Sequence, residues 1–220
     1  MPPEPLVLGF DTSAAHCAAA LVSGGTVLAE RHEAMARGQA ERLFGLLREL
    51  LAGAGRDWRD LAAIGVGVGP GNFTGVRISV AAARGLALSL GVPAIGVTML
   101  EALALGTEGA VLALLDARRG QVYAQTFGYD AAARPTLCDA AGITPAQFAR
   151  RGLTCIGHQA DQFAALLGAT ADAARFSPAA AIARIAARRM GRADLGRPVP
   201  LYLRAADAAP SRTPPPRILP

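Results

Sequence analysis

Two aspartates stand at corresponding places in the two halves of the sequence and could carry chemistry. Asp11 follows the apolar run 6–10, and Asp116 follows the apolar run 110–115. An aspartate at the end of a strand can hold a metal-bound water or orient a nucleophile. The same residue can instead cap a turn with its carboxylate. Both interpretations stay open for Asp11 and Asp116, with the turn cap favoured.

A glycine-rich loop lies between a predicted strand and a predicted helix. The apolar run 64–68 leads into the Gly-Pro-Gly sequence at 69–71, and a helix is predicted over 74–90, with Asn72 or Thr74 as its cap. Strand, glycine loop and helix can aim backbone N–H groups at an anion or a partner. A tight turn without a ligand is an equal alternative. All 22 basic residues are arginine, so no lysine follows the glycines and the loop is not a Walker loop.

Histidines and cysteines add little chemistry to this pattern. His16, His32 and His158 have no pair four residues apart, so no helix face carries an HxxxH metal pair. Three widely spaced cysteines favour a reducing compartment and predict neither a disulfide framework nor a zinc cluster. Cys17 and Cys155 lie in apolar runs and are predicted to be core residues. No serine has the spacing of a nucleophile elbow.

Composition and charge indicate a globular protein. The 220 residues are 52% hydrophobic and 18% charged, and no apolar run approaches the roughly 20 residues of a membrane helix. The first ten residues lack the basic and long apolar regions of a signal peptide, so we expect a cytoplasmic protein with no membrane partner. The net charge is +5, and residues 176–220 carry eight arginines and two aspartates. This segment could contact phosphate backbones, although a solvated helix face and tail is favoured.

The hydrophobic pattern predicts an α/β protein with an internal repeat. A leucine stripe predicts a helix over 39–54, which comes before the glycine loop and the helix over 74–90. A strand ending in aspartate, a turn and a second strand occur twice, 105 residues apart. We therefore predict two small domains, 1–105 and 106–204, followed by a disordered tail over 205–220.

Several segments resemble the TsaB (YeaZ) family. GPGNFTGVRIS is similar to the GPGSFTGVRIG signature of that family, and DARRGQVYA and PLYLR also match. The resemblance implies a duplicated ribonuclease H-like fold of the actin/Hsp70/sugar-kinase class. In active members of this class, two carboxylates face nucleotide phosphates and a metal across a cleft. The corresponding positions here are Asp11, Thr12, Gly69, Gly71 and Asp116.

Two departures from the active members imply a degenerate cleft. Active kinases of this class follow the aspartate with glycine, whereas Thr12-Ser13 and Ala117-Arg118 stand here. The histidine pair of TsaD, the catalytic relative, is missing. The resemblance thus implies a non-catalytic subunit without a cofactor of its own, with ATP and metal on its partners. Stand-alone kinase-like or peptidase activity is the alternative, and a tRNA-binding module that uses the basic C-terminal segment is a third.

The family further implies a set of partners and a surface for them. Expected partners are a TsaD-like protein, a TsaE-like ATPase and, through the complex, tRNA; when TsaD is absent, a homodimer and a monomer are both open alternatives. Pairing with TsaD would use the two long helices of the first domain. On these helices we predict an interface of residues that lie off the sheet-facing stripes: Arg42, Phe44, Arg77, Ala81, Arg84 and Leu88.

Overall fold

The computed structural model describes residues 4–128 and 133–204 and contains two five-stranded sheets. The first sheet has the order β3-β2-β1-β4-β5. Its strands are β1 (Leu6–Asp11), β2 (His16–Ser23), β3 (Thr26–Ala34), β4 (Leu61–Gly67) and β5 (Ala94–Val97). Its helices are α1 (Gln39–Gly53), α2 (Phe73–Leu90) and α3 (Met99–Ala104).

The second sheet repeats this arrangement. Its strands are β6 (Val111–Asp116), β7 (Gln121–Phe127), β8 (Thr136–Asp139), β9 (Thr154–Gly157) and β10 (Thr170–Asp172). Its part of the chain also contains α4 (Pro145–Phe148), α5 (Ala160–Leu167) and α6 (Pro178–Arg189). The strand order is β8-β7-β6-β9-β10, which is the order of the first sheet with each strand replaced by its equivalent.

Pairing directions also agree between the two sheets. In each, the first three strands are antiparallel, and the fourth and fifth run parallel to the first. This topology, present twice, confirms the predicted duplicated ribonuclease H-like fold. Strand β10 was not predicted, because its three residues are all exposed and carry no apolar pattern.

Helices cover both faces of the first sheet. The five leucines of the α1 stripe are buried in one core with residues of α2. On the opposite face, α6 lies directly on β1 and β4. A Cβ added at Gly9 would be 2.5 Å from the carbonyl oxygen of Ala179, and one added at Gly65 would be 2.8 Å from the Cβ of Ala186. Only glycine therefore lets the helix approach the strands this closely. Although α6 belongs to the second half of the sequence, it therefore forms a separate core with the opposite face of the first sheet. The predicted division into domains at residues 105 and 106 stays a prediction.

Helix α2 is long and apolar enough, by length and composition alone, to cross a membrane, with a mean hydropathy of 1.2. Core helices share these properties, and here Val76 and Val80 are buried in the first core.

Residues 198–204, which we call the crossing segment, belong to no helix or strand and touch both halves of the molecule. The backbone N–H of Leu201 donates to the carbonyl of Val68 at the end of β4, at 2.8 Å. Arg204 Nη2 donates to the carbonyl of Ala117, which follows β6, at 2.7 Å. The segment is thus hydrogen-bonded both to the residue that follows β4 and to the turn between β6 and β7. The predicted disorder of 205–220 lies outside the described residues.

Candidate functional site

The carboxylate of Asp11 is buried and already has several partners. Its Oδ2 accepts hydrogen bonds from the backbone N–H of Ser13 at 3.0 Å and from the Ser13 hydroxyl at 2.9 Å. His16 Nε2 lies 2.8 Å from the same oxygen. The residue is fully buried, so this end of β1 presents no carboxylate to solvent.

The other oxygen of Asp11 is enclosed by β4. Oδ1 is buried and has no hydrogen-bond partner among the described residues. A Cβ added at Gly67 would lie 2.0 Å from it, so the aspartate packs directly on the glycine backbone. In this conformation a phosphate or metal would have to displace the chain in order to reach the carboxylate.

The Asp11–Ser13 loop packs backbone to backbone against the glycine loop. Thr12 Oγ1 donates to the carbonyl of Gly75 at 2.7 Å, and the N–H of Asn72 donates to the carbonyl of Ser13 at 2.6 Å. A Cβ at Gly71 would be 2.4 Å from the carbonyl oxygen of Ser13, and one at Gly75 would be 2.0 Å from that of Thr12. Because glycine has no Cβ at these two positions, the two loops can approach each other closely. No space is then left between them for a phosphate group.

Gly69 has a different requirement from Gly71. Its φ of 90° is left-handed, which glycine adopts without strain. A Cβ there would also lie 3.2 Å from the carbonyl oxygen of Leu201 in the crossing segment.

The helix that follows is capped by Asn72, whose Oδ1 accepts from the N–H groups of Thr74 and Gly75 at 3.0 Å each. Of the two predicted caps, Asn72 is confirmed.

Asp116 has the geometry of a turn cap. Its side chain is 54% exposed, and Oδ1 accepts from the N–H of Arg118 at 2.7 Å. His158 Nε2 lies 4.0 Å from the same oxygen. No hydrogen bond or ion pair among the described residues joins Asp116 to Asp11. Nucleotide binding by the five predicted cleft residues stays a prediction: four of them lie where β1 and β4 end, and Asp116 ends β6 and caps the turn that follows.

Ser13, His16 and Asp11 bring together the residue types of a serine peptidase, but not in its arrangement. In such a triad the serine hydroxyl bonds to the histidine, which in turn bonds to the aspartate. Here Ser13 Oγ and His16 Nε2 both contact the same oxygen of Asp11. Ser13 is 2% exposed, so its hydroxyl is not available as a nucleophile.

Cys17 and Cys155 are confirmed as core residues. Both are fully buried, and burial raises the pKa of each thiol to about 11. Near neutral pH they remain protonated and are poor nucleophiles and metal ligands. Within residues 4–128 and 133–204, no three His, Cys, Asp or Glu side chains form a group that could hold a metal ion.

An apolar groove of about 460 Å³ runs between α1 and α2. Phe44 contributes from α1, and Ile78, Ala81 and Leu86 contribute from α2. Phe44 is 50% exposed despite its large apolar ring, and Ala81 is also exposed. The structure therefore brings together Phe44 and Ala81, two of the six residues predicted for the partner interface, on one apolar surface.

The other four predicted interface residues have distinct surroundings. Arg42 donates hydrogen bonds of 2.6–2.8 Å to Glu33 on β3 and to Glu49 on its own helix, and these bonds lower the pKa of both carboxyls. Arg84 and Leu88 line a second hollow of about 590 Å³ beside Arg197. Leu88 is 85% exposed. As an interface, all six residues stay a prediction.

Arg77 has a neighbour that the sequence did not reveal. Its guanidinium lies 3.7 Å from the ring centre of Phe73, and its Nε donates to the hydroxyl of Tyr202 at 2.8 Å. Tyr202 belongs to the crossing segment, 125 residues away. The PLYLR match pointed to this segment, but no local pattern places Tyr202 beside α2.

Comparisons with known proteins agree with the duplicated fold and the glycine loop. Residues 26–181 match the sequence model of a family described as TsaD: tRNA N6-adenosine threonylcarbamoyltransferase. The chain is similar to the tRNA threonylcarbamoyladenosine biosynthesis protein TsaB of Escherichia coli, with 41% identity over 122 residues. That match covers 53% of this chain and 52% of the E. coli protein, so it spans about half the length of that relative.

Two further similarities extend over most of the chain. An uncharacterized protein of Mycobacterium tuberculosis (strain H37Rv) is 37% identical over 209 residues, covering 93% of this chain and 94% of the relative. A crystal structure from Pseudomonas aeruginosa, described as an uncharacterized protein with similarity to peptidase YEAZ, superposes with a TM-score of 0.72 at 27% identity. It covers 91% of this chain and all of the other. The signature around the glycine loop, the duplicated fold and these similarities together show that the chain belongs to the TsaB (YeaZ) family.

Proposed function

We propose that this protein is a non-catalytic subunit of the cytoplasmic complex that forms threonylcarbamoyladenosine in tRNA. In that complex a threonylcarbamoyl group passes from its adenylate to the adenosine beside the anticodon. The TsaB name of the E. coli relative supports a place in this pathway. The match to the TsaD family supports an origin shared with the transferase, whose own chemistry we assign to a separate TsaD-like partner.

The closed loop around Asp11 is the observation that carries the non-catalytic role. A phosphoryl-transfer enzyme of this fold needs an accessible carboxylate and room for phosphates beside it. Here Asp11 is fully buried, and the backbones of the Asp11–Ser13 loop and the glycine loop are in direct contact. A peptidase role is disfavoured for the same reason, since the Ser13 hydroxyl is buried and bonded to Asp11.

The apolar groove between α1 and α2 supports a partner role. Phe44 and Ala81 expose apolar surface there, and small residues such as Ala82 and Gly85 let another helix approach closely. We assign this face to a TsaD-like protein, with a second copy of this chain as its occupant when that partner is absent. A TsaE-like ATPase completes the complex, and ATP and metal bind to the partners.

Reconstitution tests this role. TsaD-like and TsaE-like proteins from the same organism are combined with unmodified tRNA and substrates, with and without this protein. Modified adenosine is then measured by mass spectrometry of the digested tRNA. We expect modification only when this protein and its TsaD-like partner are both present. Undiminished modification without this protein would contradict its role, and modification by this protein alone would contradict its non-catalytic character.

A further inference from the structure

We propose that the hollow beside Arg84 and Arg197 binds a small organic anion with an apolar body. A medium-chain carboxylate and an alkyl phosphate share this chemistry. The hollow lies where the end of α2 and the turn into β5 meet residues 195–198, and the Asp11–Ser13 loop lies at the other end of α2. The proposal is independent of the role in tRNA modification, because it rests only on the shape and charge of this hollow.

The hollow has the size and the lining of a small-molecule site. Its volume of about 590 Å³ falls within the roughly 300–1,000 Å³ of ligand pockets, which are lined mainly by apolar groups. Ala87, Val92 and Ala94 supply apolar surface here, and all three are packed in the first core, so this wall is fixed. Leu88, which is 85% exposed, adds an aliphatic side chain that a bound apolar body would cover.

A second wall is formed by residues 195–198. Leu195 packs on the core that α6 forms with the first sheet. Pro198 is buried, and its Cβ lies 3.4 Å from the position of a Cβ added at Gly96 on β5. Gly196 and Arg197 lie between these two anchors and are exposed. Arg197 is therefore presented at the hollow by a segment that is held at both ends.

Both guanidiniums of the hollow are available to an anion. Arg84 and Arg197 are exposed, and neither makes a hydrogen bond or an ion pair within residues 4–128 and 133–204. Asp194, the acidic residue nearest to Arg197 in the sequence, instead accepts hydrogen bonds from Arg192 at 2.9 and 2.7 Å. Helix α2 contains no aspartate or glutamate, and no carboxylate of the described chain lines the hollow. An anionic ligand would thus meet two unpaired positive charges.

Two free guanidiniums beside an apolar wall select the chemistry of the ligand. Arginine binds carboxylates and phosphates through charge-assisted hydrogen bonds, and covering the apolar wall with a hydrocarbon body removes both from water. The C-terminal carbonyls of α2 repel an anion, but Arg84 precedes Leu90 by six residues, or about 9 Å of helix. We therefore assign the head group to Arg84 and Arg197, and the apolar body to Leu88 and the turn into β5.

Fluorescence of anilinonaphthalene sulfonate with the full chain tests this proposal. The dye is itself an anion with an apolar body, and it reports on exposed apolar surface. Octanoate and octyl phosphate are the competitors, whereas octanol lacks the charge and inorganic phosphate lacks the apolar body. We expect octanoate and octyl phosphate to displace the dye, and octanol and inorganic phosphate to be about tenfold weaker or worse. The stronger of the two competitors identifies the head group.

Variants of the hollow locate the binding. Arg84→Gln and Arg197→Gln each remove one charge from an exposed position, so the melting temperature should not change. Each should weaken octanoate binding about tenfold, because a charge-assisted hydrogen bond is lost. Octanoate should also raise the melting temperature of the wild type and have a smaller effect on both variants. Arg56→Gln, at an exposed arginine outside the hollow, is the matched control and should bind as the wild type does.

Three results would overturn the proposal: no displaceable dye on the wild type, equal displacement by octanol and octanoate, or equal octanoate affinity of the wild type and both arginine variants. The third result, together with a loss of association with the TsaD-like partner in Arg84→Gln, would make the hollow a protein contact. Because these assays use the isolated chain, their failure is distinguishable from a failure of the reconstitution experiment.

Discussion

Replacement of Gly71 by valine tests the closed loop on which the non-catalytic assignment depends. A Cβ at this position would lie 2.4 Å from the carbonyl oxygen and 2.9 Å from the Cβ of Ser13, both in the Asp11–Ser13 loop. Since the nearest atom belongs to the backbone, the two loops have to separate. Separation breaks the 2.6 Å hydrogen bond from the N–H of Asn72 to Ser13 and disturbs the partners of Asp11.

These losses give a magnitude. The broken hydrogen bond costs about 1 kcal/mol, and disturbing a buried carboxylate adds roughly 1–3 kcal/mol. The free energy of unfolding should therefore fall by about 2–4 kcal/mol. For a chain of this size each kcal/mol lowers the melting temperature by about 2–4 °C, so we expect a decrease of roughly 4–16 °C. Association with the TsaD-like partner should weaken as a consequence.

Thermal and urea denaturation followed by circular dichroism measure this effect. Gly85→Ala is the matched control, because Gly85 lies inside α2 with no atom within 4 Å of an added Cβ. There alanine should stabilise the helix by about 0.5–1 kcal/mol. An unchanged melting temperature for Gly71→Val would show that the two loops are not in contact in solution. An equal loss in Gly85→Ala would show that the effect of Gly71→Val does not depend on that contact.

Three further predictions concern catalysis, thiols and the junction of α3 with α6. The isolated protein should hydrolyse ATP no faster than a buffer blank, because the Asp11 carboxylate is buried; robust turnover in a phosphate-release assay would refute this. Burial raises the pKa of Cys17 and Cys155 to about 11, so the folded state retains protons that the unfolded state loses from about pH 9. The contribution of the two thiols to stability is complete below pH 9 and should be lost between about pH 9 and 11. In urea titrations across that range, the free energy of unfolding should decline less steeply when both cysteines are replaced by alanine. An equally steep decline in that variant would argue against buried thiols. Glu101→Ala removes the capping contact to Thr98 and the ion pair to Arg189, so unfolding free energy should fall by about 1–2 kcal/mol; no change in a denaturant midpoint would contradict that estimate.

Local patterns predicted the elements that define the first core. The leucine stripe of α1 is buried as its 3.6-residue period requires, and Asn72 caps α2 because its short side chain reaches the first N–H groups. The aspartates at the ends of β1 and β6 also disclosed the duplication, since each ends the first strand of its sheet.

Contacts between distant segments could not be predicted. The packing of α6 on the first sheet depends on Gly9 and Gly65, whose role is visible only when the helix lies against them. Tyr202 meets Arg77 across 125 residues, and nothing in the Pro-rich sequence around it specifies that neighbour. The burial of Asp11 likewise follows from close approach of β4 at Gly67, whereas the sequence shows only an aspartate at the end of a strand.

Titration calorimetry of the TsaD-like protein with the wild type and with Ala81→Glu tests the central claim most directly. Ala81 is exposed in the isolated chain, so the variant should keep its circular dichroism spectrum and melting temperature. At the centre of a helical interface the new carboxylate would be buried without a partner, which should weaken binding by about 3 kcal/mol, or roughly a hundredfold. Leu166→Glu, at an exposed apolar residue of α5, is the control and should bind as the wild type does. Equal affinity of Ala81→Glu and wild type would contradict the account and place the partner on another surface.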